Sequence, residues 1–203
     1  MAKANYGTQK RCVYKVVDSP VGRLELVATV DGLAGILWEN DRPGRVRLNI
    51  GTEDSGHPVL IETERQLAEY FAGRRKEFTV KLDFAGTDFQ RRVWNALLTI
   101  PFGETRSYAE IARQIGNPAA ARAVGAANGR NPVSIIAPCH RVVGSTGALT
   151  GFAGGLDVKA HLLALERQSL SSAERSTRLD STERSGTGRL GDVRAHQLEV
   201  SFA

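Results

Sequence analysis

Ser107-Tyr108-Ala109-Glu110-Ile111-Ala112-Arg113-Gln114-Ile115-Gly116-Asn117-Pro118-Ala119-Ala120-Ala121-Arg122-Ala123-Val124-Gly125-Ala126-Ala127-Asn128 reads as two helices joined by a tight turn. Ser107 and Glu110 have the spacing of a capping box, in which the hydroxyl accepts from the N3 amide and the carboxylate reaches back to the N-cap amide. Gly116 stands where a helix ending at Ile115 wants a left-handed C′ residue. Asn117-Pro118 then opens a second helix, with Asn at the N-cap and Pro at N1, running to about Asn128. Two readings fit: an ordinary helical hairpin or a helix-turn-helix. Helical hairpins are common, so the pattern by itself favours the first.

The second helix is unusual in composition. Ala119, Ala120, Ala121, Ala123, Ala126 and Ala127 surround Arg122 and Gly125. A helix that reads base sequence needs Arg, Asn or Gln side chains reaching base edges. Here Arg122 is the one long side chain at the centre. Small residues permit close approach, either to a packed neighbour or to a narrow groove. On DNA such a helix predicts sequence-independent contact, with Arg122 as a wedge or stacking cation.

Working outward, Thr87-Asp88-Phe89-Gln90 is a second capping box, followed by Phe89, Val93, Leu97 and Ile100 on one helical face and stopped by Pro101-Phe102-Gly103. The chain before it is β-rich. Cys12 to Val17, Leu24 to Thr29 and Leu33 to Trp38 are strand-like runs, and Asp31-Gly32 is a hairpin signal. Residues 41–57 read as polar loop. Pro58 to Ala72 groups Leu60, Leu67, Tyr70 and Phe71 on one helix side, and Phe78, Val80 and Leu82 alternate as in a strand edge or extended connector. A last helix from Leu156 to Arg167 carries Val158, Leu162 and Leu165. Residues 168–203, rich in Ser, Thr, Arg, Glu and Gly, read as a largely disordered tail. The fold class is α+β in two domains: residues 1–84 as a small α/β domain with an antiparallel sheet, and residues 85–167 as a mainly helical domain containing the helix-turn-helix.

The 203 residues are 41% apolar, enough for a globular core, and the net charge is +5. Residues 86–167 hold nine Lys or Arg against five Asp or Glu, a mild bias toward an anionic partner. Cys12 and Cys139 are the only cysteines, too few for a disulfide scaffold or a Cys-rich zinc site. No apolar signal core or bilayer-length run occurs. The expectation is a cytoplasmic protein with Cys139 as a free thiol, no membrane partner, no metal and no cofactor.

Pro138-Cys139-His140-Arg141-Val142 joins a possible nucleophile to a possible base. Adjacency is not contact: on a strand, neighbours point to opposite faces, so Cys139 and His140 meet only at a turn or helical start, or through a water. A buried core cysteine and a hydrogen-bonded structural histidine are the plain alternatives. Glu166 lies one turn after Leu162 at the border of the apolar side. That position suits a solvated edge residue; it also suits a partner that fixes the tautomer of His140.

Taken in order, the blocks Thr87–Trp94, Ile100–Tyr108, Ala120–Gly125, Asn131-Pro132, Pro138–Val142, Gly154–Leu156 and Leu162–Glu166 resemble the O6-alkylguanine-DNA alkyltransferases, the methylated-DNA–protein-cysteine methyltransferase family. The resemblance is dense from Gly86 to Arg167 and loose before it, where it implies a ribonuclease H-like α/β domain. It implies irreversible transfer of an alkyl group from O6 of guanine, and possibly O4 of thymine, to Cys139, once per molecule, on a flipped base. His140 would draw the thiol proton through a water, supported by Glu166, and Tyr108 would donate toward guanine N3. Arg122 would fill the gap in the stack, and Asn131 would tie the recognition helix to the cysteine segment. Gln90, Asn117 and Ser145 match positions that meet the DNA backbone. The carbonyls of Cys139 and Val142 would accept from the exocyclic amine. Val142, Phe152, Ala153 and Asn128 would line the base pocket. The partner implied is double-stranded DNA bearing O6-alkylguanine, met by a monomer.

Three positions depart from the family pattern. Phe152 stands where tyrosine is frequent, Ala153 where serine or glycine is common, and Asn128 where the residue is often apolar; an altered alkyl-group preference is expected. Two rivals remain. A non-catalytic helix-turn-helix binder would leave Cys139 inert, and a cysteine hydrolase would turn over.

Overall fold

The computed structural model describes residues 10–186, with side chains to residue 172. Strands β1 (Arg11–Val17), β2 (Leu24–Thr29) and β3 (Gly32–Trp38) form the expected antiparallel meander. A fourth strand, β4 (Asn49–Glu53), pairs parallel to β1, so the sheet has order β3-β2-β1-β4 and is mixed rather than antiparallel. It lies inside the stretch read as loop. All five of its residues are exposed and it is held to β1 by backbone pairing, so it lacks the apolar alternation that marks a half-buried strand.

Helix α1 (Pro58–Phe71) lies on this sheet. Its buried Leu60, Leu67 and Tyr70 join Leu24, Leu26, Leu33 and Ile36 in one core. The alternating segment after it runs along the start of β3: Leu33 N donates to Lys81 O at 2.8 Å and Asp83 N to Leu33 O at 2.8 Å. A Cβ at Gly32 would stand 2.5 Å from Lys81 O, which explains glycine at the hairpin.

Helices α2 (Asp88–Leu97), α3 (Tyr108–Gln114) and α4 (Ala121–Asn128) form a second core around Val93, Trp94, Leu97, Ile111 and Val124. Both predicted capping boxes are present, Thr87 with Gln90 and Ser107 with Glu110. Gly116, at φ 75°, ends α3 as expected. Its amide donates to Arg113 O and that of Asn117 to Ala112 O, the paired bonds of a Schellman motif. Asn117 does not cap the next helix: its side chain makes no capping bond, and Pro118–Ala120 is a 3-10 turn before α4. The Schellman bond has already fixed the Asn117 backbone at φ −137°, ψ 75°, outside the usual N-cap geometry.

The two halves share an edge. Ile36 N donates to Pro132 O at 2.8 Å, and Ile36 and Val133 form a parallel bridge. The free edge of β3 is thereby covered by the segment leading to Cys139, and the described residues to Ser169 make one compact unit, with a second beginning at Leu170. Short strands β5 (Arg106–Ser107) and β6 (Val142–Val143) pair in parallel and fasten the far side of the cysteine segment to the start of α3.

Helix α5 spans Leu156–Gly186. The disordered tail expected from residue 168 is therefore helical as far as Gly186; residues 187–203 lie outside the described residues. No Pro or Gly interrupts 168–185, so nothing local stops the helix, although its polar composition lacks the apolar stripe used to recognise one.

Replacing Gly32 by Ala is expected to destabilise the fold by about 1–3 kcal/mol, because a backbone oxygen rather than a flexible side chain blocks the new Cβ. The midpoint shift of urea denaturation measures it.

Candidate active site

Cys139 is buried, at 3% exposure, and reached through a series of tight turns. Ile136 N donates to Ser134 O around Ile135, whose φ of 72° is a strained value for a β-branched residue. Cys139 N donates to Ala137 O at 2.7 Å around Pro138, at φ −79° and ψ 67°, an inverse γ-turn. Cys139–Arg141 then forms a 3-10 turn.

Asn131 holds these turns closed. Its Nδ2 donates to Ala137 O at 2.7 Å and its Oδ1 accepts from Val133 N at 3.1 Å. Arg45, in a polar loop that carries no motif, donates to Asn131 O at 2.5 Å while its guanidinium is paired with Asp41. Nothing local in the sequence marks it, because its partner is 86 residues away.

Glu166 is fully buried, against the solvated-edge alternative. Its Oε1 accepts from His140 Nε2 at 2.8 Å, Tyr70 Oη at 2.8 Å and Arg141 Nη2 at 3.0 Å. Its Oε2 accepts from Gly103 N at 2.9 Å and Arg141 Nε at 3.0 Å. Helical periodicity puts it at a border; the loop at residues 100–103 and α1 then close over that border. Burial pushes the carboxyl up, but the hydrogen bonds and charges of His140 and Arg141 overcome this and hold it at about 2. Burial also pushes the His140 imidazole down, against the pull of Glu166. A neutral His140 donating from Nε2 leaves Nδ1 as an acceptor, and Nδ1 is buried with no partner among the described residues. Burial raises the Cys139 thiol, opposed by the side chains of Asn131 and Ser134 and the charges of Arg45 and Lys159. Burial thus favours the protonated thiol and the neutral imidazole, whose Nδ1 keeps a free lone pair.

Lys159 has no signal in the sequence either. It is fully buried on α5 and its Nζ donates to Val142 O at 2.5 Å and Thr150 O at 2.7 Å. It pins the loop after the cysteine and places a cation near the thiol. Thr150 Oγ1 donates in turn to Tyr108 Oη at 3.1 Å, leaving the phenolic hydrogen of Tyr108 to point elsewhere. Phe152 meets His140 edge-on at 6.4 Å between ring centroids and Trp38 at 5.4 Å. Ala153 is half-buried in the same apolar cluster. Asn128 is buried at 4%, its Oδ1 without a partner among the described residues.

The remaining predicted residues lie on the outer face. Arg122, Asn117 and Ser145 are exposed, and the Gln90 side chain is half-buried and occupied by the Thr87 cap. A shallow hollow of about 410 Å³ lies beside the site, between Arg106, Ser107, Arg113 and Ser145, and does not include the cysteine. Among the described residues no group of His, Cys, Asp and Glu could hold a metal, and no helix is long and apolar enough to cross a membrane.

The family model for the ribonuclease-like domain of 6-O-methylguanine DNA methyltransferase matches residues 12–84, and the model for its DNA binding domain matches residues 88–168. The methylated-DNA–protein-cysteine methyltransferase of Mycobacterium tuberculosis is 53% identical over 156 residues, covering 76% of this chain and 92% of that protein. That of Methanosarcina acetivorans is 50% identical over 156 residues, covering 75% and 97%. The crystal structure of Mycobacterium tuberculosis OGT in complex with DNA superposes with a TM-score of 0.71 at 49% identity, covering 77% of this chain and 94% of that one.

The buried charges have measurable consequences. Glu166→Gln leaves the guanidinium of Arg141 buried without its counter-ion and is expected to cost about 3–5 kcal/mol near neutral pH. Because the folded carboxyl titrates below its ordinary 4.5, its contribution is complete above that pH and fades as pH falls toward 2. Acid denaturation of the wild type should steepen in that window, and the Gln variant should lose the effect. Iodoacetamide should label Cys139 in the native protein at pH 7 markedly more slowly than in the unfolded chain, since only the thiolate reacts. Intact-mass kinetics on a Cys12→Ser background would read this; equal rates would contradict a raised thiol.

Proposed function

The chain belongs to the methylated-DNA–protein-cysteine methyltransferase family, and on that premise we propose that it repairs double-stranded DNA by moving an alkyl group from O6 of guanine to its own Cys139. The observation that carries this reading is the buried thiol next to a neutral His140 whose Nδ1 is an unpartnered acceptor. The thiol proton passes to Nδ1, through a bridging water, as the alkylated base enters. Sγ then attacks the alkyl carbon, the S–C bond forms and the C–O6 bond breaks. Tyr108 donates toward the N3 side, so that the base departs neutral after protonation. The imidazolium releases its proton to solvent and Tyr108 regains one from solvent, so the protons balance. An alkyl thioether is not hydrolysed by acid–base catalysis, so the alkyl group stays on Sγ and the chain acts once.

The outer face fits the delivery of the base. Arg122 is exposed at the centre of a helix otherwise made of small residues, suited to enter a groove and take the place of a base that has left the stack. Gln90, Asn117 and Ser145 hold the phosphates around it. The carbonyls of Cys139 and Val142 receive the exocyclic amine, the second kept in place by Lys159. Phe152, Ala153 and Asn128 line the pocket. We assign residues 1–84 to the supporting domain and 85–167 to the domain that meets DNA, acting as a monomer in the cytoplasm.

Incubation with duplex DNA carrying O6-methylguanine should add one methylene to the intact mass, at most once per chain, and Cys139→Ala should gain nothing. Binding without any mass gain would instead leave a non-catalytic DNA binder, and continued turnover would indicate a hydrolase. Arg122→Ala is expected to slow repair of duplex by roughly tenfold or more while sparing a single-stranded substrate, because a flipped base in duplex must be kept out of its stack; single-turnover kinetics on both substrates would check it.

A further inference from the structure

We infer that Tyr70, from the N-terminal half, is a positioning residue for the alkyl transfer: its hydroxyl shares Glu166 Oε1 with His140 and so sets how strongly that carboxylate draws on the imidazole. The inference rests on the alkyl-transfer reading above, but the contact itself does not. Tyr70 Oη and His140 Nε2 both lie 2.8 Å from the same oxygen, and Tyr70 is fully buried. Its ring is held by Phe71, Phe78 and Phe102, at centroid distances of 5.5, 5.4 and 6.1 Å. A tyrosine used only to fill this core needs no hydroxyl; here the hydroxyl ends on the carboxylate of the other half, 96 residues away.

The consequence is electrostatic. Each donor on Oε1 lowers the negative charge left for the others. Removing the Tyr70 hydroxyl leaves Oε1 to His140 and Arg141 alone, so the His140 Nε2–H bond strengthens and Nδ1 binds a proton more tightly. The other charged or titratable groups around the imidazole are Glu166 and Arg141, in contact with each other, Lys159 on α5, and the neighbouring Cys139. None of these is removed by the change. His140 must be neutral to accept the thiol proton, so the acid limb of the transfer rate follows its titration.

The test compares Tyr70→Phe, which deletes only the hydroxyl, with Phe78→Leu, which loosens the same core but keeps it. In Tyr70→Phe the His140 Nε2–H proton resonance should move downfield, and the acid limb of the single-turnover rate on O6-methylguanine duplex should move up by roughly half a pH unit. Phe78→Leu should lower the melting temperature and move neither. If Tyr70→Phe does not fold, 3-fluorotyrosine at position 70 supplies a stronger donor, and both readouts should shift the opposite way. An unmoved His140 resonance in a folded Tyr70 variant, or an equal shift in Phe78→Leu, would overturn the inference. A moved resonance with no methyl transfer even in the wild type would overturn only the repair reading.

Discussion

A carboxylate taken out of water must be surrounded by donors or it does not stay charged, and Glu166 meets that demand with groups from separate parts of the chain. Tyr70 comes from the helix on the sheet, Gly103 from the turn after α2, and His140 and Arg141 from the cysteine segment, while Glu166 itself is on α5. Arg141 reaches on to Ile100 O at 2.6 Å and lies against the ring of Phe102. One charge thus fixes the relative positions of both cores and of the reactive residue. The Arg141 guanidinium is what keeps Glu166 ionised, and an ionised Glu166 is what orients a neutral His140.

Around that centre, backbone geometry performs the second task, presentation of the thiol. The strained Ile135 and the inverse γ-turn at Pro138 turn the chain sharply twice within a few residues. Such conformations persist only where the surroundings over-determine them. Here the over-determination is visible: Asn131 spans the turns, Arg45 holds Asn131, β3 pairs with Pro132 and Val133, and β5 pairs with β6 on the other side. The N-terminal half contributes to this directly, through Ile36, Arg45 and Trp38, whose Nε1 donates to Ser134 Oγ at 3.4 Å, rather than serving as a distant scaffold.

The thiol is raised by burial instead of being activated in advance. This suits the alkyl acceptor proposed above, which must survive until its one event. A permanently ionised thiol would react with any small electrophile or oxidant. In the reaction proposed above, a raised thiol keeps its proton until the alkylated base is in place and His140 Nδ1 takes that proton through the bridging water.

Local chemistry made much of this protein legible in its amino-acid order. Capping boxes, the Gly116 stop, the Asp31-Gly32 hairpin and the apolar face of α1 depend on single residues or on near neighbours in the chain, so they could be read without knowing the fold. The ordered blocks from Thr87 to Glu166 likewise pointed to the family and to Cys139 and His140. What the tertiary structure decided has one physical cause: contacts whose partners are far apart in sequence. β4 forms because β1 offers it a free edge. Glu166 is buried because a distant turn and α1 cover it. Arg45, Lys159 and Tyr70 matter for the oxygen atoms they meet, and no spacing along the chain encodes which oxygen a long side chain will reach.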